Sequence, residues 1–291
     1  MKSLTLLSPA KLNLYLRVVG KLPGGYHRLI TLFHRISLCD TLRLERTAKG
    51  FSLTCTDPRL PTDSRNIVTQ AYHLVKKRFP LLGGVSVHLT KRIPLGGGLA
   101  GGSSNAAAFL IGLRQLYDLP LSLKNLVSLG AKLGSDVPFF LHNVKQALGE
   151  RRGDVITPVA LRSRKWFVLV LSERGLSTKL VYQALPEDLP GVSLTKAHRI
   201  ARIACYFLEH ADLFEVAKGL RNDLERPAIR LSPSIQKIIG DIVQLGIPSV
   251  AMSGSGPTVF ALLSSHQQAE KLARRLRKTL SPKSIKVCHS F

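Results

Sequence analysis

The chain is poor in several things, and each scarcity excludes something. Its four cysteines, Cys39, Cys55, Cys205 and Cys288, stand far apart with no C-x-x-C pair and no histidine at ligand spacing. That argues against a metal site and against a disulfide scaffold, and fits free thiols in a reducing cytoplasm. Long apolar runs are absent. FVLVL at Phe167–Leu171 falls far short of a membrane span, and the early SLTLLSPAKLN is interrupted by Pro9 and Lys11 before a signal-peptide core could form. A soluble, unprocessed, cytoplasmic protein without membrane contact is expected. At 291 residues the chain is long enough for two domains, each with a core.

Acidic residues are also scarce: 18 Asp and Glu against 42 Lys and Arg, a formal charge of +24. This makes nucleic-acid binding the rival to an enzyme. The basic residues come in short pieces: Lys76, Lys77 and Arg78; Arg151 and Arg152; Arg162, Arg164 and Lys165; and Lys271, Arg274, Arg275, Arg277 and Lys278. In the last piece Ala269, Leu272, Ala273, Leu276 and Leu280 recur at helical spacing, so the charges read as the wet face of an amphipathic helix. No aromatic residues interleave with the clusters to stack on bases, and no nucleic-acid motif is legible. Weak, salt-sensitive contact with polyanions is expected, without a dedicated nucleic-acid site.

What the chain does have is PLGGGLAGGSSNAAAFLIGL, Pro94–Leu113, with six glycines and two serines set against a run that reads as helix. The first turn of a helix leaves N–H groups without partners and carries about half a positive charge. Glycines before it let a backbone approach a phosphate closely and adopt the positive φ that a concave nest of N–H groups requires. Gly96, Gly98 and Gly101 satisfy G-x-G-x-x-G, but the acidic residue at the right distance, Asp118, follows a helix and no strand, so the dinucleotide reading fails. No Lys-Ser or Lys-Thr follows the last glycine, which excludes a Walker loop. H-R-D and D-F-G are missing, which excludes a protein kinase. A phosphate loop without its own lysine remains.

Short β-rich runs open the chain (LTLLS, LNLYLRVVG, LITLFHRISL, TLRLERT, FSLTCT), several divided by Gly or Asp turns. Helices are expected at 66–79, 103–117 and 123–133, and a strand at 85–92. Beyond residue 155 the pattern changes to a strand at 166–171, helices near 197–208 and 234–245, a hairpin in VAMSGSGPTVFALL, the basic helix and a final strand IKVCH. Apart from inserted helices that order is β-α-β-β-α-β, a ferredoxin-like unit. The expectation is an α+β chain: a mixed α/β nucleotide-binding domain over residues 1–155 and a ferredoxin-like domain over 156–291.

Other short pieces are ambiguous singly. Lys11 in SPAKLNLYL could be a solvated strand residue, Tyr26 and His27 in LPGGYHRL could be turn packing, and Asp136 in GSDVPFF could be a helix cap. Together with PLGGGLAGGSSNAAA and MSGSGPTVF, however, they stand in the order and wording of one family: the sequence resembles the GHMP kinases, the superfamily of galactose, homoserine, mevalonate and phosphomevalonate kinases, over nearly its whole length. PAKLNLYL, GGYHRLITLF, the lengthened LAGGSSNAAA, GSDVPFF and RNDLE resemble the branch that phosphorylates a cytidine diphosphate-linked sugar alcohol in non-mevalonate isoprenoid biosynthesis. Two positions depart from the usual pattern, Leu95 and Ala100; alanine at the second implies that position 100 does not need positive φ.

The resemblance implies the following site. ATP is the phosphoryl donor with Mg²⁺, its phosphates cradled by Pro94, Leu95, Gly96, Gly97, Gly98, Leu99, Ala100, Gly101, Gly102, Ser103 and Ser104, with Ser103 or Ser104 offering a hydroxyl to Mg²⁺ or phosphate. Asn66 is an adenosine-side contact. Lys11 brings positive charge to the reacting hydroxyl and γ-phosphate, and Asp136 is the general base. Tyr26 and His27 hold the cytosine, Tyr182 forms the opposite aromatic wall, and Asn13 and Thr178 are polar contacts nearby. No metal-ligating side-chain set is expected, and the chain is expected to be a monomer or weak homodimer.

Overall fold

The computed structural model describes residues 2–160, 164–172, 174–186, 193–210 and 213–291. Arg162, one of the basic residues singled out above, lies outside them. The chain divides into two compact units whose segments interleave: residues 1–10, 38–95 and 100–144 form one, and residues 11–37, 96–99 and 145–291 the other. Two long strands, β1 (Ser3–Lys21) and β2 (His27–Thr47), contribute residues to both.

In the first unit β2 pairs antiparallel with β4 (Gly84–Thr90) through Thr41–Thr47, and β3 (Phe51–Cys55) pairs parallel with β4. Helices α1 (Ile67–Arg78), α2 (Gly101–Tyr117), α3 (Leu123–Leu133) and α4 (Val137–Leu141) complete it. α3 starts at a capping box, in which Ser122 Oγ accepts the Asn125 N–H and Asn125 Oδ1 accepts the Ser122 N–H. α2 buries Ala106–Leu110 and Leu113, an apolar density that explains why this helix reads so plainly in the sequence. The structure corrects one feature here. The aspartate between ISLC and TLRLERT, Asp40, is not a turn; it lies inside β2, wholly buried.

In the second unit β5 (Gln146–Arg151) pairs with β2 through Leu29–His34 and forms a hairpin with β6 (Val155–Pro158). Then follow β7 (Trp166–Val170), α5 (Thr178–Gln183), α6 (Leu194–His210), α7 (Leu213–Gly219), β8 (Arg221–Asn222), α8 (Glu225–Leu231), α9 (Ser234–Gln244), β9 (Val250–Met252), β10 (Val259–Leu263), α10 (His266–Leu276) and β11 (Ile285–His289). β8 lies parallel to β1 at Tyr15 and Leu16. β7, β9, β10 and β11 form an antiparallel sheet in the order β11-β7-β10-β9, the arrangement a ferredoxin-like β-α-β-β-α-β unit produces. Leu272, Ala273 and Leu276 of α10 pack into the core with Val168, Val170, Ala261 and Leu263, while Lys271, Arg274 and Arg275 are exposed. The basic cluster is the wet face of this helix, as its spacing predicts.

Candidate active site

Of the glycine loop, Gly96–Leu99 belong to the second unit and the residues on either side of them to the first, and the two parts are supported differently. In the second unit Gly96 and Gly98 have positive φ, 63° and 73°. A Cβ on Gly98 would lie 2.2 Å from the Ser253 carbonyl oxygen, so only glycine fits. Ser253 Oγ donates to Gly98 O at 3.1 Å, and the Lys11 N–H donates to Leu99 O at 3.1 Å. A Cβ on Gly254 would lie 2.9 Å from Gly98 O. Gly254 of the SGSG turn is therefore a glycine because another backbone lies against it.

In the first unit the helix side begins at Ala100, which has φ 54° and ψ 32°. Position 100 does require positive φ, contrary to what its alanine implied; a left-handed alanine costs roughly 1–2 kcal/mol, which the surrounding structure must offset. No side chain caps α2, so the first N–H groups of Gly101, Gly102 and Ser103 are left to a ligand or solvent. Ser104 is buried and its Oγ accepts from Ser8 Oγ at 2.8 Å, whereas Ser103 is partly exposed. Asn66 is occupied locally: its Oδ1 caps α1 by accepting the Val68 N–H at 2.8 Å, and its Nδ2 donates to Pro61 O at 2.7 Å. Asp136 stands at the N-cap position of α4, yet its side chain makes no capping bond.

Lys11 is not a solvated strand residue. It is 4% exposed; its Nζ donates to Asn13 Oδ1 and lies 5.3 Å from the centre of the Phe33 ring. Asn13 Nδ2 donates to Thr31 Oγ1 at 2.7 Å, and Thr31 Oγ1 donates to Tyr15 O at 2.7 Å. The carbonyl at the end of this chain fixes the threonine proton, hence the asparagine amide, hence the oxygen presented to the ammonium. Asn13 thus orients Lys11 besides any contact to substrate.

The aromatic corner differs from its expected form. His27 and Tyr182 do not face one another across a gap: their rings stack, with centroids 5.2 Å apart and planes at 29°. They form one wall, with no room for a base between them. Burial, reinforced by Lys21, lowers the pKa of His27, so the ring is neutral at neutral pH. Tyr26 is 55% exposed, and the Arg152 guanidinium lies over one face of its ring at 5.0 Å, itself held by Asp154 at 2.8 Å. Arg152 read as surface charge in the sequence; nothing in the Arg151-Arg152 pair marked one of them as a ring's neighbour. Thr178 Oγ1 and Ser255 Oγ share a hydrogen bond at 2.9 Å.

Residues 66–143 match the GHMP kinases N terminal domain and residues 206–281 the GHMP kinases C terminal. Curated relatives named 4-diphosphocytidyl-2-C-methyl-D-erythritol kinase include one from Synechococcus sp. (strain JA-3-3Ab), 38% identical with 92% of this chain and 88% of the relative covered, and one from Shouchella clausii (strain KSM-K16), 38% identical with 93% and 89% covered. A crystal structure of 4-(cytidine 5'-diphospho)-2C-methyl-D-erythritol kinase superposes with a TM-score of 0.80 at 32% identity over 98% of each chain. A homoserine kinase from Cytophaga hutchinsonii shares the fold, with a TM-score of 0.71 at 18% identity over 100% of this chain and 95% of that one. The chain belongs to the GHMP kinases, ATP-dependent small-molecule kinases of α+β fold. Within them it groups with the kinases named for 4-diphosphocytidyl-2-C-methyl-D-erythritol.

Proposed function

We propose that the chain transfers the γ-phosphoryl group of ATP to the 2-hydroxyl of 4-diphosphocytidyl-2-C-methyl-D-erythritol, a step of non-mevalonate isoprenoid precursor biosynthesis. The observation that carries this reading is the union of Lys11 with the glycine loop: one backbone bond joins the lysine's strand to Leu99, and a polar chain holds its buried ammonium in one orientation.

Phosphoryl transfer asks the protein for position and charge rather than covalent chemistry. Backbone N–H groups between Gly96 and Ser103, with the N-terminal dipole of α2, receive phosphate oxygens. Lys11 neutralises charge on the reacting oxygens, and Asp136 accepts the hydroxyl proton, which in a loose transition state departs late. Among the described residues no group of three or more His, Cys, Asp or Glu could hold a metal ion, so Mg²⁺ would be carried by the nucleotide's phosphates, with Ser103 the hydroxyl able to reach it, since Ser104 is buried and bonded. The cytosine stacks on Tyr26 and abuts the joined His27–Tyr182 wall, with Thr178 beside it; Asn66 shapes the adenosine side by holding its loop.

The chain would act in the cytoplasm as a monomer or weak homodimer without a dedicated nucleic-acid site, its N-terminal family domain spanning 1–155 and its C-terminal one 156–291. Among the described residues no helix is long and apolar enough to cross a membrane. The reading is tested by following ADP formation with the cytidylated substrate beside mevalonate, homoserine and galactose. Turnover confined to the first is expected; turnover of another acceptor alone would replace the substrate.

A further inference from the structure

We propose that Asp40 is the positioning residue of the phosphate loop, acting through Lys91, Asn105 and Ser8 to fix both ends of the glycine run. It touches no reacting atom. Asp40 Oδ1 accepts the N–H groups of Arg92 at 2.7 Å and Ile93 at 2.8 Å, and Oδ2 accepts from Lys91 Nζ and, at 2.9 Å, from Asn105 Nδ2. Residues 91–93 lead into the loop, and residue 105 lies one turn into the helix that leaves it. One carboxylate, wholly buried on β2, thus ties together the two shoulders of a segment whose glycines cannot hold a shape by themselves.

The network also has a direction. An ionised carboxylate only accepts, so Asn105 must turn its NH₂ toward Asp40; the second hydrogen goes to Ser8 Oγ at 2.8 Å, and Ser8 then donates to Ser104 Oγ at 2.8 Å. The charge on Asp40 therefore sets the proton on each group up to the first turn of α2. Lys91 Nζ lies beneath the same turn, 2.9 Å from where a Cβ on Gly101 would sit, with Asp40 balancing its charge. Burying such a pair stabilises a fold no better than well-packed apolar side chains of similar size would. Its worth lies in where it holds the backbone.

This inference rests on the loop being the ATP site. Asp40→Asn keeps the shape and the bonds to Arg92 and Ile93, but sets an NH₂ against Lys91 and Asn105. The experiment measures binding of a non-hydrolysable ATP analogue by calorimetry below each variant's melting temperature, with KM values for both substrates. Asp40→Asn should weaken analogue binding about tenfold or more, and the milder Ser8→Ala about threefold, while KM for the cytidylated alcohol stays within about twofold. Should Asp40→Asn not fold, Ser8→Ala decides. Folded variants that bind the analogue as the native protein does would overturn the proposal and leave a purely structural pair, whereas a native protein that fails to bind it would remove the ATP reading and this inference with it.

Discussion

The support of the glycine loop and the aromatic corner are built on opposite plans. Around the loop the bonds are directed and at least partly buried: Asp40, Asn105 and Ser8 in one unit, and the contact of Gly98 with Ser253 in the other. At the corner Tyr26 is more than half exposed, Arg152 lies over it, and His27 and Tyr182 lean on each other. A phosphate is the same in every nucleotide, so a fixed backbone can receive it. Choosing among bases takes side chains that exchange water and neighbours for a ring. On the proposed reading, the difference teaches that the phosphate-binding part of this protein is preorganised by its hydrogen bonds and close backbone contacts, whereas selection would be left to a few residues near the surface.

That contrast can be broken at the chemistry first. Lys11→Ala and Asp136→Asn should each lower kcat at least about a hundredfold, about 2.7 kcal/mol of transition-state stabilisation, with folding intact by circular dichroism. Near-native kcat in either folded variant removes that residue from the mechanism. Next is the preorganised backbone. Gly98→Ala sets a methyl group against the Ser253 carbonyl at a left-handed position, so it should cost on the order of 3 kcal/mol and raise KM for ATP about tenfold. A thermal melt with steady-state kinetics checks both. Unchanged values would mean that the two glycine turns do not need their close approach.

Ala100→Gly works in the opposite direction. It relieves the left-handed alanine, about 1–2 kcal/mol, against about 0.4–1 kcal/mol of added freedom in the unfolded chain, for a net stabilisation of roughly 1 kcal/mol and a rise in Tm of about 2–4 °C. The smallest effect belongs to pH at the corner. Because the folded pKa of His27 lies below its ordinary value, the neutral ring persists as pH falls from 8 to about 6.5. KM for the cytidylated substrate should stay flat across that window and rise only in more acid solution, and His27→Gln should abolish the rise.

Legibility in the sequence followed distance along the chain. α3 and β11 read directly, because a capped amphipathic run and a short β-branched run carry their own signals. β1 and β2 read as pieces, since Pro9 and Asp40 look like breaks until long-range pairing and a buried network accommodate them. The hairpin of β5 and β6 went unread because its polar residues gain their strand character by pairing with β2. The glycine loop was visible as a motif, but the partners that shape it were not. Asn105 and Ser8 lie 97 positions apart, and nothing in an alanine-rich helix says that its asparagine turns inward to an aspartate on β2. Ala100 shows the limit of reading conformation from residue type: the fold imposes positive φ where composition argued against it.

The most direct measurement compares kcat/KM for the cytidine and uridine forms of the diphospho-linked alcohol, in the native protein and in Tyr26→Ala. Uracil reverses donor and acceptor at the edge that a neutral His27 would face on the proposed reading, leaving polar groups unpaired, so the native protein should strongly prefer cytidine. Removing the stacking ring should lower kcat/KM for the cytidine substrate by about ten- to a hundredfold, about 1–3 kcal/mol, with KM for ATP within a few-fold. Equal turnover of the two substrates, with ATP rather than the alcohol weakened in Tyr26→Ala, would contradict the account by placing the nucleotide donor at the aromatic corner.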